Sequence, residues 1–441
     1  MSKSVPLLLR HAMYNLRGGF LIRPLTIAVI LGGAGACLSW LEEEFPIASR
    51  WVPAVLFPSH ADPQVAQVIL AGIAASIMTV VSIVFAILLM TLTLASMQFS
   101  PRIIVSFSRD KVTQWTLGIF LGTFSYCMAA LPAAHSFPRP FAPVATVLGA
   151  MVLALACVGL LLYFIHHITQ AISANNIVDR IAAETEAMID EMMPRPHHPD
   201  RLDVSVPLRP DPSDVPVLSQ TSGYIRFIDK LRLVAVAKHY HVTVRALRRS
   251  GHFIPAGVPL VMVSKGHRLP DAGAAELLAA FDIGPTRTLQ QDVEFGVLQI
   301  VDIALKAISP AVNDPTTAIN GIDQLSRILI RFASREPPDD LLYDPPGIVR
   351  ASIEWVHFDH LLEVAFEQIR MYAKTDMAVS LRLLRALGDI ASSTTDPEFH
   401  RLLAEFGTRT VAGCEGLSEE ALKELHARHA KLEKLTAAAT A

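Results

Sequence analysis

Charged residues are scarce in this chain, and the scarcity is uneven. Asp, Glu, Lys and Arg make up 18% of the 441 residues, whereas apolar residues make up 51%. Typical soluble domains carry roughly 25% charged residues. Two stretches, Val112–Pro138 and Pro140–Val178, contain no charged residue. Each is longer than the roughly 18 residues that mark a membrane-spanning helix, so the sequence excludes a wholly soluble protein.

Cysteine and positive charge are also limited. The chain has four cysteines, three of them inside apolar runs, which excludes a disulfide framework and indicates buried thiols. The formal net charge of -3 gives no reason to expect nucleic acid as a partner. There is no Gly-rich phosphate loop, nucleophile elbow or Cys-rich metal motif. The sequence therefore predicts no cofactor and no metal.

Four apolar segments are predicted to cross a membrane as helices. The second has 33 apolar-rich residues, which would form a helix of about 50 Å, longer than a hydrocarbon core of roughly 30 Å. It is therefore expected to tilt, kink or project from the bilayer. The four segments are Pro24–Leu41, Val65–Met97, Trp115–Leu131 and Ala142–Ile165.

Lys and Arg in the short loops predict the orientation. Seven lie in the N-terminal segment and in the loop after the second span, and two lie in the opposite loops. Positive residues collect on the cytoplasmic side, so both termini are predicted to be cytoplasmic. The sequence then divides into a cytoplasmic segment (1–23), a transmembrane domain (24–165), a helical extension with a Pro-rich connector (166–216), a β-domain (217–265) and a helical cytoplasmic domain (266–441).

The part after the fourth span is predicted to be an α+β region. The fourth span is expected to continue as a helix until Pro194. Alternating apolar and polar residues then predict a small β-barrel or sandwich, with strands in Leu231–Val236, His241–Leu247 and Gly257–Val263. Helices follow, with cap-type residues at their predicted starts. These are Asp271, Asp314, Asp376, Asp396 and Ser418.

One face of the second span carries small and hydroxyl side chains at steps of three or four residues. This spacing suits close helix packing as well as a water-lined path. Neither the second nor the third span contains an ionisable residue, which argues against a proton-coupled transporter. The pore-lining candidates, including those at the end of the span, are Ser76, Thr79, Ser82, Thr93, Ser96, Gln98, Ser100 and Arg102.

A second polar-rich region lies on both sides of one apolar helix. Its candidate residues are Arg287, Gln291, Asp292, Asn313, Asp314 and Thr316. An enzyme would bring Asp292, Asp302 and Asn313 together as acids or Mg²⁺ ligands. In the structural interpretation, which we favour, Asp314 caps the following helix. Paired histidines, His239 with His241 on a strand and His357 with His360 on a helix, supply too few ligands for a metal site.

The chain resembles a bacterial family of predicted membrane proteins, domain of unknown function 2254. The resemblance rests on the strings Ser96–Arg102, Ser222–Ile225, Arg287–Gly296, Ala307–Ala318 and Ala365–Arg370. It implies a protein of the bacterial inner membrane with a large cytoplasmic part. It implies no activity.

The sequence leaves three classes of function open. The first is a homo-oligomeric channel, with the second span lining the path and the cytoplasmic part acting as gate or sensor. The second is a membrane-anchored sensor or scaffold without transport, and the third, which we do not favour, is a membrane-bound enzyme. The predicted partners are the lipid bilayer and further copies of the chain, with any ion or ligand unknown.

Overall fold

The computed structural model describes residues 21–45, 62–98, 110–135, 140–171, 173–193, 211–344 and 347–438. The chain divides into two compact units, residues 1–173 and 174–441. We call them the membrane unit and the C-terminal unit.

The membrane unit contains four helices that are long and apolar enough to cross a membrane, as the sequence predicts. A short 3₁₀ turn, Leu131–Ala133, follows the third helix. The second helix has 36 residues and is therefore about 54 Å long. The helices are α1 (Ile22–Glu44), α2 (Pro63–Gln98), α3 (Lys111–Ala130) and α4 (Val144–Ala171).

Helix α3 is the centre of this unit and packs against the other three helices. Half of its apolar window is buried, against about a fifth for each of the others. Its glycines permit the closest approach: a Cβ on Gly118 would lie 2.6 Å from Ile27 Cδ1, and one on Gly122 would lie 2.4 Å from Leu31 Cδ1. Small residues at a helix interface let the backbones come together. Helix α1 therefore packs directly on α3.

A buried carboxylate joins α1 to α4. Glu42, near the end of α1, has no exposed surface. Its two oxygens accept hydrogen bonds from the main-chain N–H of Ala145 at 2.8 Å and of Thr146 at 3.0 Å, and from the Thr146 hydroxyl at 3.0 Å. The first N–H groups of a helix have no partner within that helix. Glu42 thus caps the start of α4 from a different span.

The C-terminal unit mixes helices and strands. Its helices are α5 (Ala174–Met192), α6 (Lys230–His239), α7 (Asp271–Leu278), α8 (Val293–Ala307), α9 (Pro315–Ala333), α10 (Phe358–Tyr372), α11 (Met377–Ala391), α12 (Pro397–Ala412) and α13 (Glu419–Ala438). Its strands are β1 (Val215–Leu218), β2 (Gly223–Ile228), β3 (Thr243–Ala246), β4 (Phe253–Ile254), β5 (Pro259–Ser264), β6 (Phe281–Gly284), β7 (Leu341–Asp344) and β8 (Ile348–Ser352).

The strands form two open sheets. One has the order β1-β5-β3-β8-β7 and is antiparallel except between β3 and β8, and the other has the order β4-β2-β6 and is wholly antiparallel. Strands β6, β7 and β8 come from the chain beyond residue 265, which the sequence assigned to a helical domain. Within the described residues, neither sheet closes into the barrel that the alternating pattern suggested.

The predicted strand Leu231–Val236 is wrong: these residues belong to helix α6. The Asp229 side chain caps this helix by accepting a hydrogen bond from the Arg232 N–H at 3.1 Å. Leu233, Val236 and Ala237 are buried at helical spacing. Because the apolar residues of this segment fit a period of 3.6 as well as a period of two, alternation alone could not distinguish the two structures.

The predicted helix starts are largely confirmed, because caps act locally. Side chains of Asp314, Asp376 and Asp396 accept from N–H groups in the first turns of α9, α11 and α12. Ser418 does the same for α13, whereas Asp271 is the first residue of α7 and not its cap. The fourth span does not continue as one helix, since α4 ends at Ala171 and α5 begins at Ala174.

We predict that Glu42→Ala destabilises the membrane unit by about 1–3 kcal/mol, because it leaves the N–H groups of Ala145 and Thr146 buried without an acceptor. Glu43→Ala is the matched control, since Glu43 is exposed on the same turn. Thermal unfolding of the full chain in detergent measures the difference. Equal melting temperatures for the two variants would contradict the interhelical cap.

Candidate functional site

Four of the pore-lining candidates form an exposed face of α2, which we call the hydroxyl face: Ser76, Thr79, Ser82 and Thr93. Each hydroxyl donates to the carbonyl four residues earlier, at 2.8–3.1 Å. The buried residues of α2, such as Ala66, Leu70 and Val84, project from the opposite side of the helix. The hydroxyl face therefore takes no part in packing within the described membrane unit.

The remaining pore-lining candidates cannot be placed in the same way. Ser96 and Gln98 belong to the last turn of α2, but their side chains lie outside the described part of the structure. Ser100 and Arg102 also lie outside the described residues. The hydroxyl face thus consists of three residues in the middle of α2 and of Thr93 near its end.

The structure brings Arg287, Gln291 and Asp292 together in the C-terminal unit. They lie beside a cleft that we call the motif cleft. It is bounded by the end of β2, the Ser250–Gly251 turn, the start of α8 and the segment after β8. Its lining residues are Ile228, Lys230, Arg249, Ser250, Gln291, Asp292, Val293, Glu294, Ile353, Trp355 and Val356.

The Arg287 guanidinium and the Asp292 carboxylate form a buried bidentate ion pair. Arg287 Nε and NH2 donate to the two carboxylate oxygens at 2.7 and 2.8 Å. Asp292 also caps α8, because its Oδ1 accepts from the Phe295 N–H at 3.0 Å. Burial alone would lower the pKa of Arg287, but hydrogen bonding to Asp292 and the charges of Asp292 and Glu294 raise it above its usual value. Arg287 therefore stays charged, whereas burial raises the pKa of Asp292 against the opposing effect of Arg287. The contact between the two side chains fixes the start of α8.

Glu294 makes a second ion pair beside the first. Its carboxylate accepts from Arg249 at 2.8 Å and lies 3.2 Å from His360 Nε2 on α10. Burial opposes the charged form, yet Arg249, Arg287 and His360 together lower the pKa of Glu294 below its usual value. Both acids of the motif cleft are thus matched by arginines.

Gln291 joins the start of α8 to strand β2. Its Oε1 accepts from the Ile228 N–H at 2.8 Å and from the Ser250 hydroxyl at 3.0 Å, and its Nε2 donates to the Ile228 carbonyl at 3.2 Å. A side-chain amide that bonds both main-chain groups of one residue substitutes for a neighbouring strand. Gln291 therefore positions the walls of the motif cleft.

Gly251 allows the turn to approach Asp292. Its φ is +90°, a conformation that other residues rarely adopt. A Cβ at this position would lie 2.4 Å from Asp292 Oδ2, and the Gly251 N–H donates to the Ile225 carbonyl at 2.8 Å. No other residue type fits here without moving the ion pair.

Asn313, Asp314 and Thr316 lie at the other end of α8. A 15-residue helix is about 22 Å long, so these residues do not contribute to the motif cleft. Asp314 accepts from the N–H and the hydroxyl of Thr317, at 3.1 and 2.5 Å, and Asn313 has a left-handed φ of +52°. These residues shape the turn between α8 and α9.

The acid cluster expected of an enzyme is not formed. Asp292, Asp302 and Asn313 are spread along or beyond α8, and the first two are ten residues, or about 15 Å, apart along the helix axis. The interpretation of His239 and His241 as one face of a strand is also wrong, since His239 ends α6 and His241 has a φ of +52° in the next turn. Among the described residues, no three His, Cys, Asp or Glu side chains form a metal-binding group.

Lys230 and Trp355 belong to the motif cleft but were not singled out from the sequence. The Lys230 Nζ lies 4.9 Å from the centroid of the Trp355 ring. Burial lowers the pKa of Lys230, and the charge of Asp340 partly offsets this shift. More than 120 residues separate Lys230 from Trp355, so no local pattern could have connected them.

Comparison with known proteins identifies relatives but no activity. The sequence profile of the family described as "Predicted membrane protein (DUF2254)" matches residues 17–389. Uncharacterized proteins of Mycobacterium bovis and of two strains of Mycobacterium tuberculosis are 33% identical over 390 residues, which is 87% of this chain and 73% of each relative. No solved structure matches the chain.

We expect Asp314→Ala to destabilise the C-terminal unit by about 0.5–2 kcal/mol, because the first turn of α9 loses its cap. Asp314→Asn can still accept these hydrogen bonds and should have a mild effect. Thr316→Ala, an exposed neighbour, is the control. Thermal unfolding followed by circular dichroism measures all three. Loss of function in a stable, assembled Asp314→Asn variant would show that function requires the negative charge of Asp314.

Stability is predicted to fall in mild acid because of His252. Burial and the nearby charges of Arg249, Arg248 and Arg287 lower its pKa, whereas Glu294 opposes the shift. The unfolded chain therefore takes up a proton near pH 6.5, before the folded chain does. The contribution of His252 to the free energy of unfolding is fully present above that pH. It declines as the pH falls towards the lower pKa of His252 in the folded state.

The control for this prediction is His252→Gln, which cannot titrate but keeps a polar side chain. Melting temperatures of the variant and the parent are compared between pH 5 and pH 8. The parent should lose more stability than the variant below about pH 6.5. Parallel curves would show that His252 does not contribute to the pH dependence.

Proposed function

The chain belongs to the DUF2254 family of predicted membrane proteins, and from this premise we propose that it is a homo-oligomeric channel of the bacterial inner membrane. In the proposed assembly, the α2 helices of several copies surround a path, and the C-terminal unit gates it or senses a signal. Both termini lie in the cytoplasm, as the loop charges favour.

The observation that carries this proposal is the hydroxyl face of α2. It is exposed, it extends from Ser76 to Thr93 along a 36-residue apolar helix, and it points away from the rest of the described membrane unit. Another copy of α2 could pack against these small side chains, and their hydroxyls could also face water along a path.

A row of ion pairs in the C-terminal unit supports a gating role. Asp179, Glu186 and Asp190 of α5 pair with Arg327 and Arg331 of α9, and Asp190 also pairs with Arg335 just after it. Helix α5 begins three residues after α4 ends. Any movement of α5 would therefore act on α9 and, through the packing of α9 on α8, on the elements that border the motif cleft.

The proposal includes no catalysis. The carboxylates beside the motif cleft are held by arginines, and Asp314 is occupied as a helix cap. General acid or base catalysis requires a group that can exchange its proton with a substrate. These contacts favour structural tasks for the acids.

The second candidate is a membrane-anchored sensor or scaffold without transport. It is favoured by the internal hydrogen bonds of the hydroxyl face, because each hydroxyl is satisfied by its own helix and can therefore face lipid. The two functions differ in whether the assembled protein conducts.

Conductance of the purified protein in planar bilayers tests the channel. We expect an oligomeric mass in detergent and a current that a charged thiol reagent blocks after Thr79→Cys or Ser82→Cys, introduced on a Cys37→Ser background because Cys37 is exposed. The reagent should remove most of the current at these positions. Phe85→Cys is the matched control, because Phe85 is exposed on a different side of α2.

Three results would contradict the channel. A monomeric mass at several protein concentrations would exclude a path between copies. Equal block at Phe85→Cys and Thr79→Cys would show that the hydroxyl face does not line the path. An assembled protein that never conducts would favour the anchored sensor.

A further inference from the structure

The motif cleft is partly open to solvent and holds a small space of about 20 Å³, lined mostly by apolar surface. A space of this size holds one particle of about the size of a water molecule. The inner part of the cleft therefore suits water or a monatomic ion.

One cation beside this space makes no ion pair. The carboxylates of Asp292 and Glu294 are matched by the guanidiniums of Arg287 and Arg249. Within the described residues, no carboxylate lies within 4 Å of the Lys230 ammonium, and Asp340 acts on it only over a longer distance. Asp340 is itself bonded to the Trp355 main-chain N–H at 3.1 Å. Among the described lining residues, Lys230 is thus the cation without a direct ion pair.

Two helices begin at the motif cleft. Lys230 is the first residue of α6, and Val293 and Glu294 are the first two residues of α8. The N-terminus of a helix carries a partial positive charge and N–H groups without partners in the helix. The carboxylates of Asp229 and Asp292 already cap these two N-termini, so the sign of a ligand depends on Lys230.

A buried donor also lines the cleft. Trp355 is 8% exposed, and its indole N–H has no hydrogen-bond partner in the described structure. A buried donor without an acceptor destabilises the fold. An indole N–H donates only, so the group that satisfies it must be an acceptor.

We propose that the motif cleft binds a single monatomic anion of the size of chloride, held by the Lys230 ammonium and the Trp355 indole N–H. The small inner volume suits one such ion, and an ammonium without an ion pair beside a donor without an acceptor favours a negative charge. The lowered pKa of Lys230 is consistent with a cation that lacks its counterion. Binding requires neither transport nor assembly, so it is independent of the proposed channel.

Quenching of Trp355 fluorescence by bromide tests the site directly. Trp355 is the only tryptophan of the C-terminal unit, and Trp40→Phe, Trp51→Phe and Trp115→Phe together make it the sole tryptophan fluorophore. The full chain in detergent is titrated with sodium bromide in sodium gluconate at constant ionic strength. We expect saturable quenching that chloride displaces, because the ion contacts the indole.

Variants of Lys230 identify the contact. Lys230→Met keeps the length of the side chain and should weaken bromide binding about tenfold, as expected for the loss of one charge-assisted contact. Lys230→Arg should retain binding, and Lys423→Met, an exposed lysine on α13, is the control. If Lys230→Met does not fold, the parent chain still tests the site, because chloride at constant ionic strength should raise its melting temperature.

Two results would overturn the proposal. Quenching that increases linearly with bromide and is unchanged in Lys230→Met would show collision only, with water as the occupant of the cleft. Equal melting temperatures in chloride and in gluconate would show that no halide binds the folded chain. Neither result would bear on conductance, so failure of this site and failure of the channel can be distinguished.

Discussion

The buried ion pair between Arg287 and Asp292 holds the C-terminal unit together at the point where its sheets meet its helices. The Asp292 carboxylate accepts hydrogen bonds from the Arg287 guanidinium and from the Phe295 N–H, and Gly251 packs closely against it. Removing one member of a buried pair leaves the other charge uncompensated, which costs about 3–5 kcal/mol. The start of α8, the Ser250–Gly251 turn and the motif cleft all depend on this one contact.

The sequence predicts the parts of this molecule that depend on neighbouring residues. Four spans follow from long apolar runs, and the starts of α9, α11 and α12 follow from a capping aspartate before each helix. Membrane crossing and helix capping are local properties, because the main-chain N–H and C=O groups of one segment find their hydrogen-bond partners within that segment. The same reasoning failed at α6, where a short apolar segment fits two periods.

The candidate site is harder to predict from neighbouring residues in the sequence. Arg287, Gln291 and Asp292 lie within five residues of one another, and their polarity beside an apolar helix marks them in the sequence. Lys230, Arg249 and Trp355 reach the same cleft from other elements. Only the pairing of strands and the packing of α8 bring these groups together. The polar groups at the two ends of α8 look like one region in the sequence but are separate in the structure.

The contact between Glu42 and the start of α4 has a consequence for the order of membrane insertion. Its partners lie 103 and 104 residues further along the chain. At a synthesis rate of about 5–20 residues per second, Ala145 and Thr146 follow Glu42 after roughly 5–20 s. During that interval the carboxylate of α1 has to remain in water or at the headgroups, because a charge without a partner is costly in hydrocarbon. The first helix therefore reaches its final depth only when the last one arrives, which makes the four spans a single cooperative unit of assembly.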